Sequence, residues 1–478
     1  MPPNKPPKDK YYLVWIIFFI LGLGSLLPWN FFMTAGVIHP VSLSKFYIAA
    51  IYNMIGAGRK MDCETSKEPG RCAPKSNYFR ERLDYQEAQS RGRGNEWQMN
   101  VTVRGQSYYF RTFDNFMTLC AMLPLLIFCC LNSILHRQFP QKIRMAGSLF
   151  GIFLLFLLTT ILIKVTITNP DVFFVITMIT IIVNNSMSAV FQSSMFGLVG
   201  LLPTHYTMPP MSGQGMAGTF AAIAMIFSLL VGSDMAESAF WYFLTACVVT
   251  LFATTSYLAL GYLEFAQYYF HSWSANTGNG MDAIDKEIKK ASVPLTEAGP
   301  KESKHASLWV VFRKLWVMAL SVTVVFWVTI SVFPVVTGRV HTMSTNEYWG
   351  KLFSPVSCFL LFNIADFLGR SLTAFIMWPR AESRLLPFFV LLRIIFIPLF
   401  LLCNIEKSLL PTIFHHDAFF ILFMIGFGTS NGYLASLAMA YGPRPIKGRE
   451  AETAGSIMMF FLALGLCLGA CSSFIFAL

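Results

Sequence analysis

The amino-acid sequence predicts an all-α polytopic membrane protein with eleven transmembrane helices, and three observations carry that expectation. Of its 478 residues 55% are hydrophobic and only 13% are charged, about half the charged share of an ordinary soluble domain. The apolar residues come in continuous runs of span length, because crossing the hydrocarbon core at helical rise takes about 20 residues. Between the runs no stretch remains that could fold as a soluble catalytic domain. The formal net charge of +11 does not point to nucleic acid as a partner: the basic residues are scattered through loops and termini and form no stripe on a folded domain.

The elements follow in order. Residues 1–11 form a basic N-terminus, and the first span, 12–35, follows Lys5, Lys8 and Lys10 as a signal peptide would. Its apolar run is too long for a cleavable core and shows no convincing small-residue cleavage site, so it is expected to be retained. A loop over 36–112 leads to spans at 113–135, 145–166, 172–197, 212–233 and 239–262, with Pro203, Pro209 and Pro210 separating the fourth from the fifth. These make an N-terminal bundle over 12–262. Residues 263–308 mix Lys286, Lys289 and Lys290 with acidic residues, Gly, Pro and Ser, and read as a flexible linker dividing six spans from five. The C-terminal bundle, 309–478, holds spans at 309–336, 351–378, 386–403, 417–441 and 453–477. No internal repeat is visible across the divide.

Basic residues in short loops are retained on the cytoplasmic side. With the N-terminus inside, the cytoplasmic segments carry Lys5, Lys8, Lys10, Arg137, Lys142, Arg144, Arg380, Arg384, Arg444, Lys447 and Arg449, against only Arg339, Lys351 and Lys407 opposite. The expected topology is a cytoplasmic N-terminus and, after an odd number of spans, an extracellular C-terminus. The loop 36–112 is then outside, where the Asn100-Val101-Thr102 acceptor can be glycosylated. Cys63 and Cys72 are the two of the ten cysteines in an aqueous loop; an extracellular disulfide or two free thiols both fit. The other eight read as small apolar packing residues.

Several patterns imitate soluble chemistry. Gly213-Gln-Gly-Met-Ala-Gly218 matches a dinucleotide fingerprint, but that motif needs a preceding strand, and here it opens a lipid-length helix. Glycines in that setting more often permit close helix contact. Asn184-Asn185-Ser186 resembles a glycosylation site inside a span. No metal-ligand cluster appears and no nucleophile sits beside a base, so neither an enzyme nor a cofactor is expected.

What remains is the polar inventory of the membrane interior: Asp366 and Arg370, Arg393, Lys164, Asn30, Gln192 and Asn431. Ionisable residues there are costly and mark pathways or partners. Asp366 and Arg370 are four apart and share a helix face. One reading is an ion pair that locks packing. The other is a site: a carboxylate accepts hydrogen bonds and a guanidinium donates them in a fork, which together suit a neutral, hydroxyl-rich ligand. Gln192 adds a donor and an acceptor for the edge of a polar heterocycle. Trp29, Leu26, Met33, Met122 and Leu125 could wall such a site, although each alone would be ordinary packing. Arg393 reads as a brace between helices or a neutraliser of a neighbour, and Lys164 can snorkel.

The segments LGLGSLLPWNFFMTA (21–35), SGQGMAG (212–218), FNIADFLGRSLT (362–373), SNGYLASL (430–437) and EAETAGSIM (450–458) resemble the equilibrative nucleoside transporter family, especially its vertebrate plasma-membrane members. The likeness runs through all eleven spans and fails mainly in the two long loops. It implies a relative of the major facilitator fold with six and five helices in two bundles, and passive uniport of nucleosides such as adenosine and uridine, open to nucleoside-analogue inhibitors. The resemblance places the ribose hydroxyls on Asp366 and Arg370 and the base on Gln192. Leu26, Trp29, Met33, Met122, Leu125 and Leu466 would line the apolar part. Phe333 and Pro334 would narrow the outer entrance with Met33, and Arg144 with Glu452 would close the inner gate with Asn30 nearby. A solvated interfacial pair is the plainer reading of Arg144 and Glu452. Members sensitive to nitrobenzylthioinosine resemble one another in carrying Gly where this chain has Ser188. Two rival readings stay open: a carrier of nucleobases or organic cations, and a receptor or scaffold that transports nothing.

Overall fold

Apolar runs of about 20 residues, bounded by proline and polar loops, satisfy their own backbone in lipid as single helices, and helices occupy all eleven expected spans. The computed structural model describes residues 7–37, 108–135, 138–162, 170–231, 235–275, 308–405, 411–446 and 450–476. In chain order these give α1 (Leu13–Val37), α2 (Tyr108–Leu135), α3 (Gln141–Leu162), α4 (Pro170–Gly200), α5 (Met208–Val231), α6 (Met235–Leu260), α7 (Glu264–Ala275) and α8 (Leu308–Val332). The eighth expected span is α9 (Glu347–Phe353), a π-helical stretch (Ser354–Leu360) and α10 (Leu361–Leu372). The ninth is α11 (Leu385–Leu392), a 3₁₀ turn at Arg393–Ile395 and α12 (Phe396–Leu401), and the last two are α13 (Asp417–Tyr441) and α14 (Glu450–Phe476). Among the described residues, eight helical segments are long and apolar enough to cross a membrane. The chain is an all-helical polytopic membrane protein.

Departures from expectation at α3, α5 and α7 have identifiable reasons. α3 starts at Gln141 instead of 145, because the Pro140 carbonyl accepts from the Ile143 and Arg144 amides and sets the first turn early. α5 starts at Met208 with Pro209 and Pro210 inside its first turn, where a missing N–H costs nothing. The prolines begin this helix; they do not merely precede it. α7 occupies the start of the stretch expected to be a flexible linker: Phe265 packs against Tyr206 with ring centroids 5.1 Å apart, and Lys10 pairs with Glu264 at 3.4 Å. Residues 276–307 of that linker lie outside the described residues.

Within the first six spans α1 packs on α5 and α6, α2 on α4, and α3 on α4 and α6; in the last five, α8 packs on α14 and α13, and α10 on α13. The two sets meet along two seams, α5 against α10, and α2 with α4 against α14. At Gly213 a Cβ would run into the Phe19 carbonyl oxygen of α1, so the glycine-rich segment serves close helix contact. The α4–α14 seam is equally tight, since a Cβ at Gly455 would meet the Phe196 carbonyl oxygen.

Candidate functional site

Asp366 and Arg370 stand one turn apart on α10 and both are buried, 5% and 3% exposed. Arg370 Nε donates to Asp366 Oδ2 at 2.7 Å. The second carboxylate oxygen accepts from Asn431 Nδ2 of α13 at 2.6 Å. Gly432 makes this approach possible, because any Cβ there would collide with the Asp366 carbonyl oxygen. The amide of Asn431 is itself oriented: its Oδ1 lies 2.7 Å from Thr329 Oγ1 and accepts from Arg393 Nη2 at 3.5 Å. Arg393 also donates to Thr329 Oγ1 at 2.8 Å, to the Phe427 carbonyl at 3.0 Å and to Ser430 Oγ, with Phe427's ring 4.9 Å from its Cζ. It is sealed inside the C-terminal helices as a brace, and its Nε has no partner.

Across the α5–α10 seam the chain of bonds continues. Arg370 Nη1 donates to Gln214 Oε1 at 3.3 Å and to the Met211 carbonyl at 3.4 Å, both on α5. Gln214 Nε2 donates to Gln192 Oε1 at 3.3 Å and to Ser25 Oγ at 3.2 Å. Gln192 Nε2 donates to Ser188 Oγ at 2.9 Å and to the Ser25 carbonyl at 3.3 Å, and Ser188 Oγ donates to that same carbonyl at 2.7 Å. One polar string therefore joins Arg393, Asn431, Asp366, Arg370, Gln214, Gln192 and Ser188 through both helix sets. Gln214 was not singled out by sequence reasoning. Its signal was an amide inside an apolar run, hidden in a glycine motif set aside as a false fingerprint.

A family profile described as "Nucleoside transporter" matches residues 178–478. Human equilibrative nucleoside transporter 1 is 44% identical over 487 residues, covering 100% of this chain and 99% of the relative. The chain belongs to the equilibrative nucleoside transporter family. Human equilibrative nucleoside transporter 2 is 40% identical over 505 residues, with coverage of 100% and 99%. Two solved structures share the fold at low identity. The proton:xylose symporter XylE has a TM-score of 0.52 at 11% identity, covering 97% of this chain and 94% of its own. The human organic anion transporter MFSD10 has 0.50 at 13%, covering 98% and 93%. The architecture is major-facilitator-like, and the protein is a transporter, not an enzyme.

In this family member the remaining expected site residues are distributed as follows. Met122, Leu125 and Leu466 are buried, and Leu26 and Trp29 are partly buried against the core. Met33 lies on α1, but its side chain falls outside the described residues. Phe333 and Pro334 are buried, with Phe333 stacked on Phe362 at 4.1 Å between centroids. Arg144 Nη2 and Glu452 Oε1 pair at 3.1 Å, with both side chains buried. This is not a solvated pair: Arg144 also donates to Asn132 Oδ1 and Ser194 Oγ at 3.1 Å each and to the Phe139 carbonyl at 3.2 Å. Asn30 does not join it. Seventeen residues into α1, about 25 Å along the axis, its Nδ2 donates to the Leu26 carbonyl and its side chain faces Gly218 of α5. Asn100, Cys63, Cys72 and Lys164 lie outside the described residues.

Proposed function

We propose that this transporter carries purine and pyrimidine nucleosides, such as adenosine and uridine, down their gradient in either direction and without sodium. The observation that carries the reading is the Asp366–Arg370 pair at the seam between the helix sets, joined by hydrogen bonds to Gln192. A ribose diol donates to Asp366 and accepts from Arg370, charge-assisted bonds stronger than neutral ones. The Gln192 amide offers one donor and one acceptor to a base edge. Leu26, Trp29, Met122, Leu125 and Leu466, with Met33, supply the apolar walls. Because Asp366 is paired with a guanidinium and an amide, it presents no free anion to an organic cation, which favours a neutral guest.

The movement is alternating access, the two bundles rocking about a midplane site. Arg144 and Glu452 close the cytoplasmic gate, and Phe333, Pro334 and Met33 narrow the outer entrance. In this reading the protein sits in the plasma membrane with its N-terminus inside and C-terminus outside and Asn100 glycosylated in the extracellular loop, where Cys63 and Cys72 form a disulfide or stay as two thiols. The test is radiolabelled uridine flux with wild type, Asp366→Asn and Arg370→Ala, each checked for surface expression, under imposed sodium and pH gradients. Expected are a fall in uridine flux of roughly tenfold or more in both variants, from the loss of a charge-assisted hydrogen bond, and no accumulation above equilibrium in wild type. Unchanged flux in the variants would return the pair to a packing role.

A further inference from the structure

Gln214 holds a position that the substrate reading leaves unassigned. It is 3% exposed, and its one amide spends its acceptor on Arg370 and its donor on Gln192 and Ser25. Arg370 and Gln192 are residues that the proposed function gives to the sugar and to the base. It is also part of the seam. Arg370 reaches α5 through Gln214 and the Met211 carbonyl, and at the next residue of α10 Ser371 Oγ lies 3.4 Å from Ser212 Oγ.

We propose that Gln214 couples recognition of the two halves of the ligand to the α5–α10 closure. The inference rests on Asp366, Arg370 and Gln192 forming the nucleoside site. Arg370 Nη1 and Gln192 Oε1 are bonded to Gln214, so a ligand that takes both atoms must displace its amide at both ends. Once displaced, Gln214 no longer ties Arg370 to α5, and the seam loosens. A free base reaches Gln192 only and leaves the Arg370 bond across the seam in place, whereas free ribose competes for Arg370 but leaves Gln214 held by Gln192 where that bond can re-form. Gln214 is thus a positioning residue that makes a complete nucleoside, base joined to sugar, the guest that releases the closure.

The Ser212 and Ser371 hydroxyls offer the readout, since cysteines at both positions can be oxidised to a disulfide only while the seam is closed. In the full-length double-cysteine protein, saturating uridine is expected to slow copper-catalysed cross-linking about threefold to tenfold, the population change that one ordinary net hydrogen bond produces. Uracil alone is expected to leave it unchanged, and ribose alone to slow it less than uridine does. Gln214→Met should cross-link more slowly from the outset and lose the uridine effect. Gln214→Glu, whose carboxylate binds Arg370 more strongly, should keep cross-linking fast with uridine present, and it serves equally if the Met variant does not fold. Cross-linking in both variants that matches the parent, with the same uridine response, overturns the proposal, as does an equal response to uracil and uridine in the parent. Asp366→Asn in the same background separates the two failures. A uridine response retained there sinks the sugar-site reading, whereas its loss there beside unaffected Gln214 variants sinks only the bridge.

Discussion

Replacing Glu452 by Gln tests whether the Arg144 pair is a gate. The exchange keeps size and a carbonyl acceptor but removes the charge that faces Arg144 Nη2 at 3.1 Å, where the two side chains are 8% and 5% exposed. Arg144 would be left buried with only the neutral acceptors Asn132, Ser194 and the Phe139 carbonyl. Breaking a buried pair in this way costs about 3–5 kcal/mol, and a retained neutral hydrogen bond returns about 1 kcal/mol. The remaining ~2–4 kcal/mol applies only while α3 and α14 meet, so it does not destabilise every conformer alike. It shifts the balance away from that closed form by roughly thirtyfold to several hundredfold. A cysteine at Ser456, buried at 1% in the α14 seam, reports the shift through labelling by a water-soluble thiol reagent. Labelling is expected to accelerate in Glu452→Gln and to fall back when the pair is restored in reverse as Arg144→Glu with Glu452→Arg. A variant with lower thermal stability but unchanged labelling of the folded fraction would refute the gate and leave a structural brace.

Ser188→Gly removes a hydroxyl that accepts from Gln192 at 2.9 Å and fills space on its face of α4; sensitivity to nitrobenzylthioinosine is expected to rise with uridine flux kept, and unchanged inhibition curves would count against the crowding argument. Gly432→Ala puts a methyl into the Asp366 carbonyl, so α13 must back away from α10. The expected cost is about 1–3 kcal/mol, with a fall in Tm and in uridine affinity together; either falling alone would separate packing from site geometry. Arg393→Lys keeps the charge but cannot reproduce the fork that reaches Thr329, Asn431 and the Phe427 carbonyl. A Tm drop that corresponds to about 2–3 kcal/mol is expected in a melting curve of the purified protein, and a wild-type melt would deny the brace.

The fold was legible because lipid imposes a length and a polarity on every crossing segment, and hydropathy records both. Boundaries were legible only where sequence order coincides with geometry. Pro209 and Pro210 mark a helix start as readily as a loop, and α7 owes its place to Phe265 meeting Tyr206 and to Lys10 meeting Glu264, contacts that no local pattern announces. The same division holds in the site. Asp366 and Arg370 stood out because two charges four residues apart are conspicuous in an apolar run. Arg144 and Glu452, 308 residues apart, were connected only by family resemblance, and Asn30 was drawn to them though it lies elsewhere. Gln214 escaped because a neutral amide carries no such contrast, and its meaning depends on partners brought from α10, α4 and α1.

The charges themselves argue for the class of guest. Asp366 is the one acidic group in the polar string, and two guanidiniums attend it: Arg370 directly and Arg393 through Asn431. Their formal sum is one positive charge in a region shielded from water. An organic cation entering there would meet like charge with little screening, at a cost of several kcal/mol, and would find both Asp366 oxygens already bonded. A neutral polyol avoids that repulsion, because its hydroxyls can exchange places with Asn431 or Gln214 one bond at a time. With Asp366 receiving the guest as proposed, its surroundings favour an uncharged solute, whereas a lone carboxylate at the same position would favour a cation.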